Sequence, residues 1–326
     1  MHLRIFIQWL MALVSLAGLA MAAPAAAQTY PAKAVKLIVP FPPGGPTDVM
    51  GRIFADKLSA MWNQPVVVEN RGGAGGNIGS ELTAKAPPDG YTLLLAASSH
   101  VTNGALYNNL PYDPIKDFTP ISEVAYYSLV LVAHPTVPAN TLKELVALAK
   151  TTPGKLTFGS AGSGTPTHLT AELFGTAAGI QVIHVPYKGA GPATNDLIGG
   201  QLQLMFNNPV SALPHVKSGR LKALATTGTK RAALVPDVPT IAESGYPGFE
   251  AGTWFLILGP AGIAKPIQSK LAHDVIAVLK MDDVRERFAK MGVEPIGTTP
   301  DQLTVRMRDE LEKWGKVIRA AKIKVD

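Results

Sequence analysis

Residues 35–48 read VKLIVPFPPGGPTD, and this stretch decides the fold class. Val35–Val39 is an apolar run rich in β-branched residues, which is typical of a buried strand. Prolines and glycines fill positions 40–46, and a helical pattern then occupies Asp48–Met61. A buried strand that turns directly into a helix is the repeating unit of an α/β fold.

The same alternation of strand and helix patterns continues along the chain. Near-continuous apolar strands separated by helices predict parallel sheets covered on both faces, and the class is therefore α/β. The predicted strands are Val35–Val39, Val66–Glu69, Thr92–Ala96, Leu129–Ala133, Leu156–Gly159, Gln181–Val185, Leu202–Phe206, Leu221–Ala225 and Trp254–Leu258. The C-terminal part is helical in pattern, and its last helix carries one apolar stripe that predicts core packing: Leu303, Met307, Leu311, Trp314 and Ile318.

Two stretches rich in turn residues divide the chain. Residues 107–120 precede one predicted strand, and residues 235–252 precede another. A chain that leaves one α/β domain, builds a second and returns makes two such crossings, as a hinged binding protein requires. We therefore expect a first lobe formed by 28–122 plus 251–326 and a second lobe formed by 123–250.

The composition excludes several classes of function. The 326 residues contain no cysteine, so thiol catalysis and cysteine-ligated zinc are excluded. The net charge of +6 is spread along most of the chain and accompanies no nucleic-acid-binding module, so no nucleic acid partner is expected. The histidines show no metal-binding spacing, and neither a metal nor another cofactor is expected.

The N-terminus has the order of a secretory signal peptide. A basic start precedes an apolar run over 5–23 and small residues at 25–27. Pro24 interrupts the helix where the small residues begin, which favours cleavage near Ala27/Gln28 over a membrane anchor. We therefore expect residues 1–27 to be removed and the mature protein to lie in the periplasm.

The loop after Val35–Val39 has the features of an anion site. Its glycines let a ligand approach the backbone closely. Thr47 or Asp48 caps the following helix, whose free N–H groups attract negative charge. A tight turn with a good cap has the same composition, but two prolines and two glycines in succession favour a binding loop.

A second candidate loop spans residues 159–168 and reads GSAGSGTPTH. Its hydroxyls, bare amides and helix start suit a small carboxylate without any arginine. A simple capping turn is the alternative, since Ser and Thr are common in turns. Polar residues also follow other strands, at Ser98, Tyr187 and Asn207, and ligands of open α/β sheets bind beyond the carboxyl ends of strands.

Two further motifs suggest other chemistry. Gly73–Gly79 matches a relaxed dinucleotide-binding pattern, but it follows the second strand, and the acidic residue expected about twenty residues later is not at a strand end. Ser163 lies in the sequence AGSGT, which departs from the G-x-S-x-G nucleophile elbow at both outer positions. We therefore expect no catalytic residue and no nucleotide cofactor.

Six motifs occur in a fixed order along the chain. They are VPFPPGGPTD at 39–48, VENRGGAGGNIG at 68–79, PDGYTL at 88–93, GSGTPTHL at 162–169, VPYKG at 185–189 and DVPT at 237–240. Together they resemble the Bug-type periplasmic receptors of tripartite tricarboxylate transporters. The resemblance covers essentially the whole mature chain and implies a two-lobed type II periplasmic binding protein fold with a ligand cleft between the lobes.

The resemblance also implies a function. The protein would be a receptor, without enzymatic activity, that binds a small carboxylate and delivers it to membrane permease subunits. A monomer is the default expectation. The ligands of this family include di- and tricarboxylates, acidic amino acids and aromatic carboxylates. The alternatives are a sensor subunit that presents its ligand to a signalling partner and a periplasmic hydrolase that uses Ser163.

The strand ends and the resemblance together give the candidate ligand-binding residues. They are Phe41, Gly44, Gly45, Thr47, Asp48, Ser98, Ser160, Ser163, Gly164, Thr165, His168, Tyr187 and Asn207. Most relatives have Ala or Ser where this chain has Pro46, so one backbone donor of the family's first loop is missing here. Four aromatic residues could form a wall of the ligand site or pack in the core: Tyr126, Tyr127, Tyr187 and Phe206.

Overall fold

A computed structural model of the chain describes residues 30–325. The predicted signal peptide and its cleavage position lie outside these residues. None of the helices between residues 30 and 325 is both long and apolar enough to span a bilayer.

The described residues form an alternating series of strands and helices. The strands are β1 (Val35–Val39), β2 (Val66–Asn70), β3 (Thr92–Ala97), β4 (Phe118–Ser128), β5 (Val130–Ala133), β6 (Thr157–Ser160), β7 (Ile183–Pro186), β8 (Leu204–Asn207), β9 (Lys222–Thr226), β10 (Gly252–Pro260) and β11 (Glu294–Pro295). The α-helices are α1 (Pro46–Trp62), α2 (Asn77–Ala84), α3 (Ser99–Leu106), α4 (Leu142–Thr151), α5 (Pro166–Ala178), α6 (Ala190–Ile198), α7 (Pro209–Lys217), α8 (Lys265–Leu279), α9 (Asp282–Lys290) and α10 (Pro300–Ala320). A short 3-10 turn, Ala74–Gly76, precedes α2.

Two sheets give the molecule its two lobes. The first sheet has the strand order β11-β4-β10-β3-β1-β2, and the second has the order β7-β6-β8-β5-β9. The α/β class is confirmed, but the prediction of wholly parallel sheets is wrong. Strand β10 runs antiparallel to β3 and β4, and β5 runs antiparallel to β8 and β9. These antiparallel pairs arise where the chain passes from one sheet to the other, because a chain that crosses and returns must run in both directions.

The crossings between the sheets lie next to β4 and β10. Strand β4 pairs with β10 as far as Ser128, and β5 begins at Val130 in the second sheet. The first crossing is therefore at residue 129 and not in the turn-rich stretch 107–120, which leads back into the first sheet. Residues 123–128, which the sequence-based division assigned to the second lobe, are paired in the first sheet for the same reason.

The last helix packs against both lobes. Leu303 and Met307 of α10 lie in a core cluster with residues of the first sheet. Trp314 and Ile318 of the same helix lie in the core cluster of the second sheet. The predicted apolar stripe is thus core packing, and it buries apolar surface of both lobes along one helix.

Candidate ligand-binding site

Both sheets direct the carboxyl ends of their parallel strands toward the crossings. In the first sheet, Val39 at the end of β1 pairs with Asn70, and Ala97 at the end of β3 pairs with a residue near the start of β10. In the second sheet, Asn207 at the end of β8 pairs with Val130, the first residue after the crossing. Because strand ends and crossings share one edge of each sheet, the loops after β1 and β6 both lie on the side where the two lobes join.

The first glycine loop, residues 40–48, is held by one buried carboxylate. Asp48 Oδ2 accepts hydrogen bonds from the Gly44 N–H at 2.9 Å and from Arg52 Nε at 3.0 Å. Its Oδ1 accepts from Arg52 Nη2 at 3.1 Å and from Asn70 Nδ2 at 2.9 Å. Asn70 Nδ2 also donates to the carbonyl of Phe41. The Asn70 amide therefore joins Phe41, at the start of the loop, to Asp48, at its end.

These contacts define what Asp48 can do. Its side chain is almost completely buried, and the hydrogen bond with Arg52 is the main reason that the pKa of this carboxyl is lowered to about 2. The carboxylate is therefore ionised at neutral pH, and four donors occupy it. Asp48 was predicted to bind the ligand, whereas the structure shows its side chain fixing the loop and Arg52 neutralising its charge.

The second glycine loop, residues 159–168, is held by hydroxyls and an imidazole. The Gly162 carbonyl accepts from Ser160 Oγ at 3.1 Å and from Thr165 Oγ1 at 2.6 Å. Thr167 Oγ1 accepts from the Ala161 N–H at 3.0 Å, and His168 Nδ1 accepts from the Gly164 N–H at 3.0 Å. Neutral groups therefore hold this loop in its conformation.

Two stacked imidazoles lie beneath the second loop. The rings of His168 and His184 are 3.7 Å apart and almost parallel, and Phe158 stacks on His184. Burial, together with the neighbouring His168, lowers the pKa of His184 to about 4. Both rings serve the loop, because His184 Nε2 lies 2.6 Å from Ser160 Oγ while His168 bonds to Gly164.

The Ser160–His184 contact has the spacing of a nucleophile and its base, but it lacks access. Ser160 is fully buried, and its hydroxyl is engaged by His184 and by the Gly162 backbone. Ser163 is exposed, and the imidazole nitrogen of His168 that faces the loop is already occupied by the Gly164 N–H. The geometry therefore gives neither serine the combination of exposure and a free base that acyl transfer requires.

Each glycine loop leads into a helix whose first amides have no side-chain cap. Helix α1 has Gly45, which lacks a side chain, at the N-cap position, and α5 has Thr165, whose side chain accepts no capping hydrogen bond. Proline occupies the first helical position in both helices, so the next two residues carry the first amides without partners in the helix. Two helix N-termini with open donors thus lie on the joining side of the two lobes, and each favours an anion.

Helix α3 links the loops of the two lobes. Asn103 Nδ2 donates to the Gly75 carbonyl in the 3-10 turn and to Asn77 Oδ1. At the end of the same helix, the Leu106 side chain lies so close to Gly164 that an added Cβ there would be 3.1 Å from Leu106 Cδ1. Leu106 follows β3 of the first sheet but packs in the core cluster of the second. Helix α3 therefore contacts both the Gly75 turn of the first lobe and the second glycine loop.

The remaining candidate residues have mixed placements. Phe41 is partly buried, and Ser98 is buried at the start of α3, where its N–H donates to the Trp254 carbonyl. The Tyr187 hydroxyl donates to Asp196, which raises the pKa of that tyrosine. Asn207 is buried and donates to Thr194 Oγ1.

The four aromatic residues do not form a common wall. Phe206 is buried in the second core, and Tyr127 packs against Phe255. The Tyr126 hydroxyl donates to the Ala251 carbonyl beside the crossing. These contacts support the alternative in which the aromatic residues pack in the core or beside the crossings.

Sequence reasoning missed several residues that hold the loops. Arg52, Asn70, Asn103, Thr167 and His184 were not among the candidates, although each hydrogen-bonds to a loop residue or to a neighbouring turn. The sequence did contain one signal that the two loops are alike, because GGPTD at 44–48 and GTPTH at 164–168 repeat the same pattern of glycine, proline and threonine. Partners that come from other strands, such as Asn70 and His184, leave no local pattern in the sequence.

Three cavities lie beside the crossings and away from the glycine loops. A cavity of about 440 Å³ is lined by Tyr127 and Leu234 among others, and one of about 610 Å³ by Phe249 and Arg306 among others. A third, of about 210 Å³, contains Tyr126 and Arg306 in its lining. The candidate ligand-binding residues line none of these three, so the candidate site consists of loop backbone and helix ends. Among residues 30–325, no group of three or more His, Asp or Glu side chains is placed to hold a metal ion.

Comparison with known proteins gives the family of the chain. The family model described as "Tripartite tricarboxylate transporter family receptor" matches residues 50–323. The chain belongs to this receptor family. Its first glycine loop lies just before the matched region, and its second glycine loop lies inside it.

Individual relatives match over almost their whole length. Protein BugT of Bordetella pertussis is 42% identical over 315 residues, which are 95% of this chain and 97% of BugT. A structure of an R. palustris protein with adipate is 35% identical, has a TM-score of 0.76, and is matched over 90% of this chain and 99% of that chain. MatC from Rhodopseudomonas palustris with bound malate is 33% identical, has a TM-score of 0.72, and is matched over 89% of this chain and 100% of that chain. The two-lobed fold is therefore that of these family members.

Proposed function

We propose that the protein is a periplasmic receptor that binds a small dicarboxylate between its two lobes and delivers it unchanged to a membrane permease. Membership of the receptor family supports the binding role. Two solved relatives hold adipate and malate, which are both dicarboxylates, and this supports the ligand class. The N-terminal pattern of residues 1–27 supports export.

One structural observation carries the proposal. Each lobe presents an uncapped helix N-terminus, with Pro46 or Pro166 at the first position, on the side where the lobes join. The open amides are those of Thr47 and Asp48 in one lobe and of Thr167 and His168 in the other. Hydrogen bonds from such donors to a charged acceptor contribute about 1.5–3 kcal/mol each, which is enough to hold a carboxylate without a free arginine.

The surroundings of the loops favour a bound anion over a neutral solute. Arg52 forms an ion pair with Asp48 of the first loop, and Asp48 neutralises its charge. The open donors therefore come from neutral amides and carry the partial positive charge of a helix start. These neutral amides can donate hydrogen bonds to a carboxylate, and the site carries little net charge before the ligand binds.

Non-enzymatic binding is part of the proposal. Ser160 is buried beneath the loop, and the His168 imidazole accepts a hydrogen bond from the Gly164 N–H. Because these arrangements provide no free nucleophile–base pair at the surface, we expect the bound acid to be released unchanged.

Calorimetry and thermal unfolding test the binding role. The full mature chain is titrated with adipate and with malate, and 1,6-hexanediol and adipamide serve as uncharged controls. At a concentration 100 times its dissociation constant, a true ligand stabilises the folded protein by about 2.7 kcal/mol. We expect at least one of the two acids to raise the melting temperature, the uncharged controls to have no effect, and mass spectrometry to recover the acid intact. If both acids and the uncharged controls behave alike, or if the acid is converted, the proposal fails.

Delivery to a permease is separable from signalling. In cells that lack the gene, we expect loss of uptake of the radiolabelled acid, with restoration by the wild-type gene. Normal uptake with loss of a transcriptional response to the acid would instead support the sensor subunit.

A further inference from the structure

The two glycine loops share one backbone design. In both loops a glycine with a positive φ angle precedes the N-cap residue, with φ of +87° at Gly44 and +74° at Gly164. The N-cap residues Gly45 and Thr165 are extended, with φ, ψ angles of −78°, 169° and −70°, 159°. Proline and threonine then take the first and second helical positions in each case.

The third helical residue closes both loops in the same way. The Gly44 N–H donates to Asp48 Oδ2 at 2.9 Å, and the Gly164 N–H donates to His168 Nδ1 at 3.0 Å. We call this contact the N3 hydrogen bond, because its acceptor is the side chain of the third helical residue. It fixes the peptide group that ends at the glycine, three residues before the first open amide, and thereby holds the turn that leads into the helix.

The two acceptors differ in their dependence on protonation. Asp48 is an ionised acceptor whose charge is balanced by Arg52. His168 Nδ1 receives an N–H, so its ring must be neutral, with its single proton on Nε2. That Nε2 lies 3.5 Å from Glu172 Oε1 on the same helix. A second proton would turn Nδ1 into a donor that faces the Gly164 N–H, and the N3 hydrogen bond would be lost.

Burial and the neighbouring His168 favour the neutral ring for His184 by lowering its pKa, whereas Glu172 acts in the opposite direction. Glu172 faces His168 from its own helix α5, His184 faces it from β7, and the uncharged ring of Phe158 lies on β6. Two imidazoles stacked at 3.7 Å repel each other when both are charged. His184 in turn holds Ser160, whose hydroxyl bonds to the Gly162 backbone, so the stack is connected to the loop at both ends.

We propose that Asp48 and His168 are equivalent positioning residues, each of which sets the ligand-binding loop of its lobe through the N3 hydrogen bond, and that only the second lobe loses this bond on protonation. The consequence for affinity rests on the proposed carboxylate binding. The consequence for the glycine amides holds whether or not the protein binds an acid.

The ligand-free test measures amide hydrogen exchange and amide chemical shifts of Gly44 and Gly164 by NMR on the full mature chain. In His168→Ala we expect the Gly164 amide to exchange at least tenfold faster while Gly44 is unchanged, and in Asp48→Ala we expect the reverse. His168→Asn retains an acceptor at the same position and should restore protection of Gly164. In the wild type, acidification should change the Gly164 shift through loss of the N3 hydrogen bond, and it should leave the Gly44 shift unchanged. An unchanged Gly164 amide in His168→Ala, or equal titration of both glycines, overturns the proposal. If His168→Ala does not fold, His168→Asn and the wild-type titration decide it.

The binding test uses adipate and malate as probes. We expect His168→Ala to weaken the affinity at least tenfold and His168→Asn to stay within about threefold of the wild type. The wild-type affinity should decrease on acidification, and His168→Asn should remove most of that decrease. His273→Asn is the matched control, because the side chain of His273 is 81% exposed on α8, and it should retain the wild-type pH profile.

A pH profile of His168→Asn identical to that of the wild type contradicts the positioning role. If neither acid binds to the wild type, the proposed function fails, while the amide measurements still decide the role of His168.

Discussion

The two glycine loops reach the same conformation with different chemistry. Residues 44–48 and 164–168 both place a positive-φ glycine, an extended N-cap, a proline and a threonine before the residue that closes the loop. The first loop is closed by a carboxylate paired with Arg52, and the second by an imidazole in an aromatic stack. Backbone geometry is therefore what the two lobes have in common, and the side chains behind it differ in charge.

A bound carboxylate would contact the open amides of the two helices. The side chains of Asp48 and His168 would instead hold the loops that lead into those amides. Both helices begin with open amides, which recognise an anion by charge and direction. The acceptors beneath them, Asp48 and His168, are buried and already hydrogen-bonded to the loop glycines. We infer that substitutions beneath the loops change stability first and affinity second.

The largest effect is expected from Asp48→Ala. The substitution leaves the Gly44 N–H, Asn70 Nδ2 and the Arg52 guanidinium without their acceptor, and it should lower the free energy of unfolding by about 2–3 kcal/mol. Urea unfolding followed by circular dichroism measures the change. The matched control is Asp56→Ala, because Asp56 is exposed on the same helix and should cost less than about 0.5 kcal/mol. Equal costs for the two variants would contradict the role of Asp48.

A smaller effect is expected from alanine at the two positive-φ glycines. Gly44→Ala should cost about 1 kcal/mol, since the backbone angle is unfavourable but the space around Gly44 is open. Gly164→Ala should cost about 2 kcal/mol, because a Cβ there would also lie 3.0–3.2 Å from the side chains of Val325 and Leu106. Differential scanning calorimetry compares the two. A larger loss for Gly44→Ala would mean that Gly164 is not packed against α3.

The loops themselves were predictable from sequence because their signals are local. Glycine and proline in succession mark a turn, and apolar runs mark the strands before it. Strand β4 was missed because its sequence, FTPISEVAYYS, interrupts the apolar pattern with polar residues. Those residues are satisfied from far along the chain, since Ser122 Oγ donates to the Thr298 carbonyl and the Glu123 N–H donates to Thr298 Oγ1. Without β4, the first crossing could not be placed.

The candidate site was predictable to a similar degree. The positions of the two loops follow from composition, but the contacts of their side chains do not. Asp48 and His168 were predicted to bind the ligand, and this stays a prediction. The structure adds that both side chains are buried, with Asn70 beside Asp48 and His184 beside His168. Pairing between strands decides such contacts, and single-sequence patterns do not contain it.

Acid should destabilise the second lobe before it affects the first loop. Because the folded-state pKa of His184 is about 4 and the ordinary value is 6.5, its contribution to stability is complete above pH 6.5 and is lost as the pH falls toward 4. We expect a loss of about 1 kcal/mol, reduced by the partial exposure of the ring, and His184→Asn should remove it.

Groups outside the second loop set a background that the wild type and the variant share. The pKa of His100 is also lowered to about 4 by burial, so its contribution is lost over the same pH range in the wild type and in the variant alike. The pKa of Asp48 is about 2, so its contribution is lost only as the pH falls below about 4. Urea unfolding at pH 7, 5 and 4 measures the difference. An equal pH dependence in the wild type and in His184→Asn would contradict the role of His184.

The smallest changes in stability are expected at the surface of the second loop. Thr165→Ala removes the hydroxyl that donates to Gly162, and should weaken adipate or malate binding about tenfold with a cost in stability of about 1 kcal/mol. Ser163→Ala, at an exposed position, should weaken binding a few-fold and leave stability within about 0.5 kcal/mol. Calorimetric titration of both variants checks the assignment. Unchanged affinity in both would remove the second loop from the ligand site.

A crystal structure with bound adipate or malate tests the central claim most directly. We predict that a carboxylate group lies within hydrogen-bond distance of the amides of Thr47 and Asp48 in the first lobe and of Thr167 and His168 in the second. A carboxylate bound instead in the cavity beside Arg306, with both glycine loops free, would contradict the claim.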